Sequence, residues 1–79
     1  MSSLPTEEQA NKFFIERGEY SLRLAETHLK DREKDKAKKL FMDAFNYFMK
    51  AYKSTTDANR KEELKVKLVE VKQKGESCG

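Results

Sequence analysis

A chain of 79 residues with a formal net charge of +3 has room for one domain and a small core. Its single cysteine, Cys78, excludes an internal disulfide and a thiolate metal cluster, and we expect an exposed thiol in a reducing compartment. No apolar run reaches the length of a membrane span, and the first nine residues lack the pattern of a signal peptide, so we expect a cytoplasmic protein.

The first predicted helix covers residues 7–30 and follows a flexible leader, residues 1–5. Thr6 is its predicted N-cap, and the acidic residues that follow suit the positive end of the helix dipole. Gly18 lies inside the apolar pattern and favours either a kink in the helix or a close approach by another backbone. The stripe expected to face the core comprises Ala10, Phe13, Phe14, Leu22, Leu24, Ala25 and Leu29, with Ile15 and Tyr20 beside it.

The second predicted helix, residues 35–53, carries the strongest helical signal and follows a charged turn at residues 31–34. Its apolar residues recur at steps of three and four, and neither Gly nor Pro interrupts them. Met42, Tyr47 and Met49 widen the apolar surface beyond one seam, which is typical of the middle helix of a bundle. The stripe comprises Ala37, Leu40, Phe41, Ala44, Phe45, Phe48, Ala51 and Tyr52.

The third predicted helix covers residues 58–75 and follows a polar loop, STTDAN. Thr56 or Asp57 is its predicted N-cap because their side chains can accept from free backbone amides. Gly75 is expected to end this helix, and residues 77–79 are expected to form a flexible end.

The middle of the third helix alternates apolar and charged residues as a strand would. No other segment offers a pairing partner for a strand, so a helix is favoured. Leu64, Leu68 and Val71 then share one face of the helix. Val66 and Val69 point away from that face, either toward a binding partner or onto the first helix.

The chain offers no set of residues from which an active site could be built. His28 is the only histidine and is expected to be an ordinary, half-exposed helix residue. Carboxylates are scattered among lysines, and no Gly-rich phosphate-binding motif is present. Lysines near the start of the second helix alternate with Asp and Glu, which disfavours nucleic acid. We therefore predict a non-catalytic protein that uses no cofactor or metal and binds no nucleic acid.

Two segments carry a recognisable pattern. Residues 36–53 combine regularly spaced alanines with aromatic residues, and residues 60–70 alternate apolar residues with lysines. The matching residues are Ala37, Phe41, Ala44, Tyr47, Phe48, Ala51 and Tyr52 in the second helix, and Leu64, Lys65, Val66, Lys67, Leu68 and Glu76 in the third. Over about residues 20–76 this pattern resembles the MIT domain, the microtubule-interacting and trafficking module. The chain departs from the family at Lys34, Lys72 and Gly75, where the family has a tyrosine, a leucine that lines a groove, and an alanine.

The resemblance implies an all-α, antiparallel three-helix bundle formed by residues 6–76. In the family, helical tails of ESCRT-III proteins dock between helices two and three, and extended tails dock between helices one and three. The implied partners are C-terminal tail peptides of ESCRT-III-like proteins, with recruitment to endosomal or other remodelling membranes through those partners. Hosts of the family include disassembly and severing ATPases and deubiquitinases. The candidate contacts are Met42, Asn46, Met49, Lys65, Val66, Val69, Glu70 and Glu76.

Two other interpretations stay open. A TPR-like or coiled-coil helical module would use exposed apolar residues for self-association or scaffolding, although the chain is too short for a solenoid. An electrostatic binder of acidic membranes or nucleic acid would lose its binding steeply with salt. The MIT interpretation predicts a monomer, so the oligomeric mass separates it from self-association.

Overall fold

The computed structural model of this chain describes residues 7–78, with side chains described from Gln9 onward. The described part consists of three helices, α1 (Glu7–Lys30), α2 (Lys34–Ser54) and α3 (Ala58–Ser77), and contains no strand. The predicted all-α three-helix bundle is therefore confirmed. The predicted leader and the Thr6 cap lie outside the described residues.

Helix α2 is the middle element, and α1 and α3 pack mainly against it. Two contacts between the outer helices give their relative direction. Near the starts of both helices, Arg60 Nη1 lies 3.4 Å from Asn11 Oδ1. Toward their ends, Lys74 Nζ lies 2.5 Å from Glu26 Oε1. Helices α1 and α3 therefore run parallel to each other and antiparallel to α2.

The core confirms the predicted stripe of α2. Phe41 and Phe48 are fully buried there, and the three alanines spaced at seven are also inaccessible, so a neighbouring helix can approach closely. Burying one such Phe contributes about 1.5–3 kcal/mol. The apolar core comprises Leu22, Ala25, Ala37, Phe41, Ala44, Phe48, Ala51, Leu64, Leu68, Val71 and Cys78.

Gly18 does not interrupt α1, which is a continuous helix, so the kink alternative is wrong. The glycine instead receives the ring of Phe48. A Cβ built at Gly18 would lie 2.9 Å from Phe48 Cε1, closer than such atoms pack. The sequence correctly suggested a close approach, but the approaching group is an aromatic ring and not a backbone.

The inner face of α1 differs from the predicted stripe. Phe13 was expected in the core but is 55% exposed, and Leu29 also lies largely at the surface. The inner face instead includes the polar residues Asn11 and Ser21, both buried. Hydrophobic periodicity could not identify these positions because polar residues occupy them.

The turn between α1 and α2 closes with a Schellman motif. The amide of Glu33 donates to the His28 carbonyl at 2.8 Å, and the amide of Arg32 donates to the Leu29 carbonyl at 3.0 Å. This geometry places Arg32 at φ 65°, a left-handed conformation that costs an L-residue about 1–2 kcal/mol.

Replacing Arg32 with glycine should stabilise the fold. Glycine adopts the left-handed conformation without the Cβ penalty, and part of that gain is offset by its greater freedom in the unfolded chain, leaving about 0.5–1 kcal/mol. Urea unfolding followed by circular dichroism measures the change. Arg32→Ala is the matched control because it removes the side chain but keeps Cβ. Equal stability of the two variants would contradict the strain argument.

The end of α3 also differs from the prediction. The helix continues through Gly75 to Ser77, so Gly75 does not end it. Cys78 was expected to be exposed in a flexible end, but it is 7% exposed, and its Sγ–H donates to the Lys74 carbonyl at 3.3 Å. At the other end of α3 the predicted cap is confirmed, because Asp57 Oδ1 accepts from the Asn59 amide at 3.2 Å.

Candidate functional site

An open groove of about 460 Å³ runs between α2 and the C-terminal half of α3. It forms where the broad apolar face of α2 extends past the edge of α3. Its lining residues are Lys38, Phe41, Met42, Phe45 and Asn46 from α2, and Val71, Lys72, Gly75 and Glu76 from α3.

The floor of the groove is apolar and rigid. Phe41 and Val71 are each 1% exposed, so they are fixed by the core beneath them. Gly75 has no side chain to fill the space above Phe41, and a Cβ there would lie 3.3 Å from Phe41 Cβ. Met42 is 60% exposed on one wall, where its flexible thioether can adapt to different ligand shapes.

The edge of the groove is mostly basic. Lys38 and Lys72 stand on opposite walls, and in the described part of the chain neither is in an ion pair. Glu76 is the acidic residue of the lining. Where the end of α2 meets the start of α3, Lys61 Nζ lies 5.2 Å from the ring centre of Tyr52. The groove therefore combines an apolar floor with a positive edge.

The structure brings together three of the candidate contact residues, Met42, Asn46 and Glu76, in this groove. Met49 is half-buried and packs against the core beside the same face of α2. Lys65 is exposed on α3.

Three other candidates lie on the outer surface of α3. Val66 and Val69 are 65% and 51% exposed, so the alternative in which they pack on α1 is wrong. Glu70 is in an ion pair with Lys74 at 3.3 Å. These residues do not line the groove.

Six residues that line the groove were not predicted from the sequence as ligand contacts. Phe41, Phe45 and Val71 were assigned to the core alone. Lys72 and Gly75 stood out only as departures from the family pattern. Those departures were the one feature of the sequence that could have identified them as groove residues. The missed residues are Lys38, Phe41, Phe45, Val71, Lys72 and Gly75.

The surface between α1 and α3 is crossed by polar contacts. Lys74 joins Glu26 of α1 at 2.5 Å and Glu70 of its own helix at 3.3 Å. The hydrogen bond that Lys74 donates to Glu26 is the main reason that the pKa of Lys74 is raised above its ordinary value, and the hydrogen bond to Glu70 adds to it. An extended tail would have to compete with this network to dock between α1 and α3.

His28 has a structural contact at the turn between α1 and α2. Its Nδ1 lies 2.8 Å from Glu33 Oε1, and Lys36 Nζ lies 3.1 Å from Glu33 Oε2. The hydrogen bond with His28, and then that from Lys36, hold the pKa of Glu33 below its ordinary value. Among the side chains of residues 9–78, no cluster of three His, Cys, Asp or Glu residues could hold a metal ion. None of the described helices is long and apolar enough to cross a membrane.

Compared with known proteins, the chain matches no family model, and no curated protein or solved structure is significantly similar to it. The fold and the groove together define a small all-α bundle with a preformed apolar groove.

Proposed function

We propose that this protein is a non-catalytic interaction module whose α2–α3 groove binds a short amphipathic helix from the C-terminal tail of an ESCRT-III-type protein. The observation that carries the proposal is the groove itself, with its fixed apolar floor and its basic edge. The resemblance of residues 20–76 to the MIT domain supports the choice of partner.

The shape and chemistry of the groove suit an acidic amphipathic helix. Such a ligand inserts apolar side chains at helical spacing along one groove, which is a recurring mode of peptide recognition. Phe45 would receive these anchors above the buried Phe41 and Val71, and Met42 would pack along their side. Acidic residues flanking the anchors would meet Lys38 and Lys72, and a basic residue would meet Glu76. The charges set the orientation of the ligand, while apolar burial supplies most of the affinity.

In this proposal the protein acts in membrane trafficking or remodelling, in the cytoplasm, and reaches endosomal membranes through its partner. Any catalytic chemistry of a host protein would lie outside residues 7–78.

An NMR titration of the isotope-labelled chain with a panel of ESCRT-III tail peptides tests the proposal. We expect saturable shifts confined to the groove face of α2 and the C-terminal half of α3. Met42→Asp should weaken binding about tenfold or more, because it places a charge on the apolar wall. Lys72→Glu should weaken binding of acidic peptides several-fold, an effect that shrinks with added salt.

Two matched variants serve as controls. Val66→Asp changes an equally exposed apolar residue on the outer surface of α3, and Lys12→Glu reverses a charge on α1. Both should bind as the unmodified chain does. Flat spectra at about millimolar peptide, or a loss caused by Val66→Asp and not by Met42→Asp, would refute binding in this groove.

A further inference from the structure

Helix α1 has a second, mostly apolar stripe beside its core face, with Arg17 near its centre and Thr27 at its end. We call it the outer stripe of α1. Its members follow one another at steps of three, four, three, four and three, which is the heptad spacing of a coiled-coil seam. They are Ala10, Phe13, Arg17, Tyr20, Leu24 and Thr27.

The outer stripe is open in the single chain. Phe13 and Tyr20 are 55% and 48% exposed, and Leu24 is half-buried. The core face of the same helix uses other residues, among them Leu22 and Ala25. One helix therefore carries two apolar faces, and the fold covers one of them. Two large exposed aromatic side chains on one helix face are typical of a contact surface.

We infer that a second copy of this chain covers the outer stripe, with the two α1 helices packed antiparallel around a twofold axis near residues 18 and 19. In that register the seam is complementary to itself. Phe13 lies opposite the partner's Leu24, Ala10 lies opposite the partner's Thr27, and Arg17 lies opposite the partner's Tyr20.

The charges select the antiparallel arrangement. Arg17 lies 5.8 Å from the ring centre of Tyr20 and 5.7 Å from that of Tyr47, and within residues 9–78 it forms no ion pair. Opposite the partner's Tyr20, its guanidinium again meets an aromatic ring. A parallel pair of helices would instead place the two Arg17 side chains against each other, and their like charges would repel.

The residues flanking the stripe are also complementary. Glu16 and Arg23 precede Arg17 and Leu24, so they share one flank of the seam. In the antiparallel dimer this flank of one chain meets the same flank of the other chain. Glu16 then faces the partner's Arg23, and the twofold axis makes two such contacts. Both residues are exposed, and within residues 9–78 neither is in an ion pair.

The expected dimer departs from the monomer that the MIT interpretation predicts, and it is weak and reversible. The outer stripe extends over about 25 Å of one helix, so it buries less area than a standard stable interface does. We therefore expect dissociation constants of micromolar or weaker. The α2–α3 groove is built without α1 and stays open in the dimer. On the proposed function, a dimer would present two grooves, and a partner that carries two binding motifs would gain avidity.

Sedimentation equilibrium of the full chain between about 10 µM and 1 mM tests the inference. We expect a concentration-dependent dimer. Glu16→Arg alone and Arg23→Glu alone should each remain monomeric, because each creates two like-charge pairs across the axis. An equimolar mixture of these two variants should recover dimers, since both contacts are complementary in the mixed pair. The double variant should also dimerise.

Further variants separate this surface from others. Phe13→Asp should abolish the dimer, and Val66→Asp, on the outer surface of α3, should leave it unchanged. Circular dichroism verifies that each variant folds. A chain that stays monomeric at about 1 mM overturns the inference. So does a dimer that is insensitive to Glu16→Arg and Arg23→Glu, or one that Val66→Asp disrupts.

Discussion

Replacing Gly18 with alanine should destabilise the protein, although alanine is the better helix former. In an exposed helix the change would gain about 1 kcal/mol of helix propensity. Here the added Cβ would lie 2.9–3.0 Å from three carbons of the Phe48 ring. That ring is fully buried and held on all sides by the core, so it has no free direction in which to move. We expect a net loss of about 1–3 kcal/mol, typical of overpacking.

Chemical denaturation of four variants, Gly18→Ala, Gly75→Ala, Phe48→Leu and the double variant Gly18→Ala/Phe48→Leu, measures this effect. Gly75→Ala is the matched control, because it also adds one Cβ to a helical glycine but meets Phe41 Cβ at a looser 3.3 Å. It should be nearly neutral, since the propensity gain offsets a small shift of Phe41. In a Phe48→Leu background the cost of Gly18→Ala should fall, because the smaller side chain leaves room for the methyl group. The packing argument would be contradicted if Gly18→Ala were as stable as Gly75→Ala. It would also be contradicted if the loss of stability caused by Gly18→Ala were the same with Leu as with Phe at position 48.

The sequence predicted the helices and most of the core of α2 because apolar residues there recur with a clean helical period. Ala37, Ala44 and Ala51 indicated close approach by a second helix, and the structure buries all three. Leu64, Leu68 and Val71 on α3 were predicted by the same spacing and are also buried. Such residues can be predicted because burial and hydrophobicity coincide at them.

The faces of α1 could not be assigned in the same way. The helix has apolar residues on two sides, and periodicity alone does not indicate which side meets the core. Phe13 and Phe14 are adjacent in sequence, yet Phe13 is exposed and Phe14 is half-buried against the core. The inner face depends on Gly18 and on buried polar residues, which carry no hydrophobic signal.

The candidate groove was predicted only in outline. Met42, Asn46 and Glu76 were predicted only as contacts that the resemblance to the MIT domain implies. The depth of the groove depends on how closely Gly75 approaches Phe41, which is a property of the packed helices. The charge of its edge depends on Lys72, which the family pattern presented as a departure.

The second large effect should come from Asn11, whose buried amide group joins all three helices. Asn11 is 2% exposed. Its Nδ2 donates to the Ala51 carbonyl at 2.7 Å and to Ser54 Oγ at 3.1 Å, and its Oδ1 lies 3.4 Å from Arg60 Nη1. The Ala51 carbonyl belongs to the last turn of α2, where helix geometry leaves carbonyls without backbone partners. The side chain therefore caps α2 from within α1.

Replacing Asn11 with alanine should cost about 2–3 kcal/mol, because it removes a short buried hydrogen bond and leaves a space beside a carbonyl that water reaches poorly. Two control variants remove weaker parts of the same cluster. Ser54→Ala should cost about 0.5–1.5 kcal/mol, since Ser54 Oγ also donates to Ala51 but at a longer 3.1 Å. Arg60→Ala should cost less than either, because its contact is long and its side chain is exposed.

The order of the three losses is the decisive result. Urea unfolding should rank Asn11→Ala above Ser54→Ala and Ser54→Ala above Arg60→Ala. Amide hydrogen exchange should in addition show faster exchange in the last turn of α2 for Asn11→Ala, because that turn loses its cap before the core opens. An Asn11→Ala variant that costs no more than Arg60→Ala, with unchanged exchange at the end of α2, would mean that the apolar core fixes the end of α2 without this side chain.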